Sequence, residues 1–144
     1  MPENKATDQY LELYKLAVEM ADRISARRAT ANGFFLTVNT ALLAFISTGP
    51  EKLLWLVALG GIAFSATWWA LIKSYRDLNA AKFDVIMRME EKLEARIFGD
   101  EWKKLKESPP RGRGGRYIEF NVIERIVPIV FAVLYLVVFL KVVL

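Results

Sequence analysis

Three stretches of this chain, residues 29–48, 53–72 and 126–140, contain no Asp, Glu, Lys or Arg. The first two supply 20 residues each, the length an α-helix needs to cross a hydrocarbon core about 30 Å thick. The third supplies 15 and extends upstream through Val122 and Ile123 and downstream past Lys141 to Leu144. A lysine near a helix end can snorkel to the headgroups. The chain is 54% hydrophobic and 25% charged, and all 20 basic and 16 acidic residues fall outside these stretches. The remainder is therefore about 40% charged, far above the usual quarter of a soluble domain. One chain thus combines a membrane part with a strongly polar part. The expected fold is an all-α membrane protein with three transmembrane helices. The first two are expected to extend as a long antiparallel cytoplasmic helical hairpin.

Several chemistries are closed to it. The chain has no Cys and no His, so it has no disulfide, no thiolate nucleophile, no histidine base and no Cys- or His-based zinc site. No catalytic, cofactor-binding or metal site is expected. Tyr10, Tyr14, Glu90 and Glu91 offer acid–base groups in principle, and they read as solvated helix-face residues.

The first two spans are joined by Gly49-Pro50-Glu51-Lys52, too short for anything but a tight helical hairpin, with Gly49 suited to a C-cap and Pro50 to a helix start. Trp55 and the Trp68-Trp69 pair then fall at opposite membrane faces, as interfacial tryptophans do. Lys15, Arg23, Arg27 and Arg28 precede the first span; Lys73, Arg76, Lys82 and Arg88 follow the second; Arg111, Arg113, Arg116 and Arg125 precede the third. The hairpin loop carries only Lys52 and the C-terminal end only Lys141. The excess of positive charge places the N-terminus and 73–121 in the cytoplasm, and the hairpin tip and C-terminus outside.

The polar part also reads as helical. Apolar residues at 10, 13/14, 17, 20/21 and 24 give 3–4 spacing, and no Pro or Gly intervenes before Gly33, which predicts one helix from about 8 to 48 with Thr7 or Asp8 as N-cap. Tyr75, Leu78, Val85/Ile86, Met89, Leu93 and Ile97 continue the second span in the same way, with a break expected at Phe98-Gly99-Asp100. Trp102 and Leu105 fall on a short final helix that Ser108-Pro109-Pro110 ends. Asn121-x-x-Glu124 resembles a capping box that starts the third helix, and Pro128 is expected to kink that helix or mark its true start. The resulting division is 1–28 cytoplasmic amphipathic helix, 29–48 first span, 49–52 external loop, 53–72 second span, 73–107 cytoplasmic amphipathic helix, 108–121 basic Pro/Gly-rich loop and 122–144 third span.

The loop residues Arg111, Arg113 and Arg116 read as positive-inside linker charges, or as contacts to anionic lipid headgroups. Three arginines neutralise too little phosphate to suggest nucleic acid. The apolar stripes of the polar helices are wider than one seam, so they need a further partner surface. Self-assembly supplies it, usually as a closed ring, with Leu13, Tyr14, Ala17, Ile86, Met89 and Leu93 as candidate interface. Asn32, Asn39 and Thr40 lie within the first span. They either line a pore or bond helix to helix. Asp22, Arg23, Arg27 and Arg28 form the densest charged cluster at the membrane mouth, read as positive-inside anchors or as a ring around a cytoplasmic entrance.

The run Tyr14-x-x-x-Val18-Glu19-Met20-Ala21-Asp22-Arg23-Ile24-Ser25-Ala26-Arg27-Arg28, with Asn32-x-Phe34-Phe35 and Asn39-Thr40, resembles the RipA-like family of small octameric bacterial membrane proteins. So does Ser74-Tyr75-Arg76-x-Leu78-Asn79-x-x-Lys82-Phe83-x-Val85-Ile86, with Met89-Glu90 and Glu101-Trp102. The resemblance covers most of 10–105 and touches the third span only by hydropathy. More distantly, the chain is similar to two-span SLATT-type effectors. The resemblance implies a homo-octamer in a bacterial inner membrane. It carries no biochemical activity, so two functions stand: a pore-forming assembly, or a non-conducting scaffold for a cytoplasmic partner.

Overall fold

The computed structural model describes residues 2–93, 95–107 and 120–144. The side chains of 2–6, 105, 106 and 120–123 lie outside that description, as do Ser108-Pro109-Pro110 and the arginines 111, 113 and 116. The described residues form four helices and no strand: α1 Pro2–Thr48, α2 Glu51–Glu90, α3 Ile97–Glu107 and α4 Phe120–Val143. Three of them, α1, α2 and α4, are long and apolar enough to cross a membrane. The all-helical membrane fold read from the sequence is therefore the fold observed.

The uninterrupted run before Gly33 explains why α1 is one helix, though it starts at Pro2. Proline suits the first turn, where its missing N–H has no intrahelical acceptor. Thr7 and Asp8 consequently lie inside the helix and do not cap it. Between α1 and α2 the chain turns under Phe45. The Gly49 N–H donates to the Phe45 carbonyl, and a Cβ on Gly49 would meet that oxygen at 2.6 Å and the Phe45 ring at 2.9 Å. Only glycine closes the turn there. Leu53 N–H then bonds the Pro50 carbonyl at 3.0 Å.

Two further expectations shift. The second helix ends at Glu90, and α3 runs through Phe98-Gly99-Asp100, where the break was expected. The glycine is tolerated because the Glu90 carboxylate holds the first turn of α3, as described below. In α4, Pro128 does not mark the start: the helix runs from Phe120 to Val143 with the proline inside it and fully buried. The lost N–H costs one hydrogen bond, which helices inside membranes tolerate better than helices in water.

The chain divides into two units. The first comprises residues 1–26 and 77–117. Ala21, Ile24 and Ile86 are buried in it, and Phe83 meets Phe98 edge-on at 5.7 Å. The second comprises residues 27–76 and 118–144. Its core is Phe35, Trp68 and Ile72, with Phe64, Leu71, Val127 and Phe131 packed around them. Phe35 stacks on Trp68 at 5.7 Å and 8°, and Trp68 faces Phe131 at 6.2 Å. In the second unit Asn39 meets Ser65 while Asn32 meets Trp68, so α1 and α2 run antiparallel there. In the first, Tyr10 meets Met89 and Tyr14 meets Glu90.

Candidate functional site

Within the membrane unit the polar side chains gather in two clusters that tie all three spans together. In one, the Trp68 indole N–H donates to Asn32 Oδ1 at 2.9 Å, and Asn32 Nδ2 donates to Glu124 Oε1 at 3.1 Å. Arg28 Nε stands 3.7 Å from Glu124 Oε2. Both ends of this ion pair are mostly covered, with side chains 16% and 11% exposed. An Asn offers both a donor and an acceptor, and Asn32 uses both to join α2 to α4. Glu124 is thus a tertiary partner of α1. The helix it stands on starts at Phe120, and the side chain of Asn121, the other half of the expected capping box, lies outside the described residues.

The second cluster centres on Asn39, which is 0% exposed. Its Nδ2 donates back to the Phe35 carbonyl at 2.8 Å, and its Oδ1 accepts the Ser65 hydroxyl at 3.2 Å. The Tyr135 hydroxyl donates to the Asn39 backbone carbonyl at 2.9 Å. Tyr135 reaches it by lying flat on Gly61, where a Cβ would come within 2.7 Å of three ring atoms. Asn32 thus bonds α1 to α2 and α4, and Asn39 bonds α1 to α2. Thr40 differs. It is exposed, and its hydroxyl donates to the Leu36 carbonyl of its own helix at 2.8 Å.

The faces that these spans leave uncovered are unlike one another. α4 exposes Ile126, Ile129, Val130, Val133, Leu136 and Val137. On α1 the exposed row Gly33, Thr37, Thr40, Ala44, Ser47 repeats at four, three, four and three residues. Thr37, Thr40 and Ser47 each donate to the carbonyl four residues back, at 2.9, 2.8 and 3.2 Å. With the proton directed inward, each hydroxyl oxygen offers lone pairs outward. On α2, Gly60, Ala63, Thr67 and Ala70 are likewise exposed.

The charged candidates separate too. Asp22, Arg23 and Arg27 are exposed, and Arg23 is bonded to Glu19 at 2.7 Å. Arg28 turns to Glu124 instead. Of the candidate interface residues only Leu13 is exposed, at 57%. Tyr14, Ala17, Met89 and Leu93 are half-buried within their own unit, and Ile86 is 1% exposed.

One buried group was missed by sequence reasoning. Glu90 was read as a solvated helix-face residue, and it is 1% exposed. Its carboxylate accepts the Tyr14 hydroxyl at 2.8 Å and the N–H groups of Phe98 and Gly99 at 3.0 Å each. It therefore caps α3 from a different helix, satisfying donors that every helix start leaves open. Burial alone would raise its pKa, but the backbone N–H groups of Phe98 and Gly99 and the Tyr14 hydroxyl outweigh that, and the carboxyl lies below its ordinary range. Burial and the adjacent Glu90 push the Tyr14 hydroxyl up to about 12. Its only sequence signal was its place on the Val85/Ile86–Met89 stripe. Tyr135, the one polar side chain within 126–140, did carry a signal, because a lone hydroxyl in an apolar span needs a partner.

Among the curated proteins and the solved structures none matches this chain. A family model does: the octameric membrane protein family (8xMP) matches residues 11–144, all but the first ten residues, and the chain belongs to that family.

Proposed function

We propose that the protein is a homo-octamer of a bacterial inner membrane whose spans surround a lumen, with the α1 hydroxyl row toward the lumen and α4 toward lipid. The observation that carries this reading is the contrast between exposed faces. Lipid contact suits the Ile, Val and Leu of α4, whereas the lone pairs of Thr37, Thr40 and Ser47 suit water. The family's description as octameric supports self-association with that copy number. The resemblance to RipA-like proteins supports a bacterial inner membrane, and the lysine and arginine excess supports a cytoplasmic N-terminus and 73–121 segment.

The reading is non-enzymatic. The buried Glu90 is committed to the half-buried Tyr14 and to α3. Reconstituted protein should give conductance or dye leakage, and Thr37→Leu with Thr40→Leu should reduce it. Unchanged conductance would remove α1 from the lining. Vesicles that stay tight around intact octamers would leave the second reading, a non-conducting scaffold. The exposed Leu11, Leu13, Leu16 and Met20 of the first unit favour some covering partner in either case.

A further inference from the structure

The first unit carries an apolar row that nothing in its own chain covers. Leu13, Leu16 and Met20 recur at three and four residues along α1 and are 57%, 51% and 43% exposed. Asp8, Glu12, Lys15 and Glu19 flank them, and an open groove runs along this face. On α2 the row Leu78, Ala81, Val85, Arg88 repeats at three, four and three residues and is also exposed, Leu78 at 49% and Val85 at 46%. Such 3–4 spacing is that of a seam between packed helices. The first row is edged by three carboxylates and Lys15, and the second, beside the exposed Asp84, ends in Arg88.

We infer that these rows form a head-to-tail contact between copies, with the Leu13–Leu16–Met20 row of one copy packed on the Leu78–Ala81–Val85 row of the next. The inference rests on the octameric reading above. A ring about one axis uses two different rows, because a contact that pairs a patch with a different patch repeats around the axis and closes where the rotation per copy divides the circle. The register agrees. Tyr10 bonds Met89 and Tyr14 bonds Glu90, which sets residues 10–14 level with 89–90 in each unit. In a ring whose axis follows these helices, all copies stand at one height. Glu12 of one copy is then level with Arg88 of the next, Leu16 with Val85, and Met20 with Ala81. Carboxylate meets guanidinium and apolar meets apolar along the row.

The contact also relocates the interface from the sequence expectation. Ile86, Tyr14 and Met89 point into their own unit, so the exposed neighbours Leu16, Met20, Leu78 and Val85 take their place.

The chain has no cysteine, so single thiols can be placed without background. Leu16→Cys and Val85→Cys chains, tagged differently and co-expressed, are oxidised in the membrane and run on a non-reducing gel, and the mass of the solubilised assembly is measured. The expected result is an octamer by mass, with a disulfide-linked dimer containing one of each tag. Each variant expressed alone should give no dimer. An octamer whose only dimers join Leu16→Cys to Leu16→Cys, or which gives none, overturns this contact while leaving the octamer standing. A monomer overturns both. Charge reversal provides an independent arm. Glu12→Arg should weaken the assembly in detergent, and adding Arg88→Glu should restore it. A double variant as weak as the single, with helicity intact, overturns the pairing.

Discussion

Removing the Glu90 side chain should release α3 without unfolding the rest of the first unit. The Glu90→Ala change deletes three hydrogen bonds to one buried carboxylate: from Tyr14, Phe98 and Gly99. Losing a helix cap costs about 1 kcal/mol. Leaving the half-buried Tyr14 hydroxyl without a partner costs about 1–2 kcal/mol, the lower part of the range for a buried group. These terms overlap, so the net loss is at most about 3 kcal/mol, and at 1.4 kcal/mol per decade it raises the open population by up to roughly a hundredfold. Amide hydrogen exchange over 98–107 reads that directly. Glu91→Ala, on the exposed neighbour, should leave exchange close to wild type. Acceleration below about threefold in Glu90→Ala, under about 0.7 kcal/mol by the same conversion, would refute the capping role. The pH dependence has two edges. Since the Glu90 pKa is lowered on folding, its contribution is complete above the ordinary carboxylate range and is lost as pH falls through the lowered value. Since Tyr14 is raised from 10.0 to about 12, its contribution is complete below 10 and lost between those two values.

Three perturbations test the membrane unit. Gly61→Ala puts a methyl within 2.7 Å of the Tyr135 ring. It should displace that ring and lower the melting temperature in detergent, whereas Gly60→Ala, with nothing within 4 Å of its Cβ, should be silent. Asn32→Leu strips partners from Trp68 and Glu124 at once. It should cost about 2–4 kcal/mol, since each abandoned buried polar group costs roughly 1–3, and it should shift the tryptophan emission. Asn39→Leu should destabilise the bundle by a similar mechanism, while conductance per folded assembly stays constant.

The spans were legible because their signal is local: an uncharged run of fixed length has few other uses in a helix. The break after α2 was not legible, because its cause is tertiary. Phe98-Gly99-Asp100 has the composition of a turn, and it is helical because Glu90, eight and nine residues earlier in the chain, accepts the N–H groups of Phe98 and Gly99. Pro128 suits a helix start by local propensity, and α4 begins at Phe120 instead, upstream of it. For the polar residues of α1, the sequence showed that Asn32 and Asn39 must find partners. It did not show which, because Glu124 and Ser65 lie 92 and 26 residues away. Burial along the α2 stripe was not legible either. Period alone does not say which flank of a stripe the chain covers itself, and Ile86 turned inward while Val85 remained exposed.

The neighbours Arg27 and Arg28 divide the two readings of the cluster at the membrane mouth. Arg28 is largely covered and pairs with Glu124. Its charge is compensated within its own chain, so it adds little to the field of an entrance. Arg27 is exposed, and eight copies in a ring would place eight guanidinium groups around one opening, where low-dielectric walls strengthen their field. Breaking a buried pair by removing one partner costs about 3–5 kcal/mol, the upper bound for Arg28→Gln, because that pair is only mostly covered. Arg28→Gln should therefore lower the melting temperature and leave the reversal potential in a salt gradient unchanged. Arg27→Gln should do the opposite, with a reversal potential shifted toward cations and a melting temperature close to wild type. An Arg28→Gln assembly that melts normally and changes its ion preference would place the entrance charge on Arg28 and refute the division.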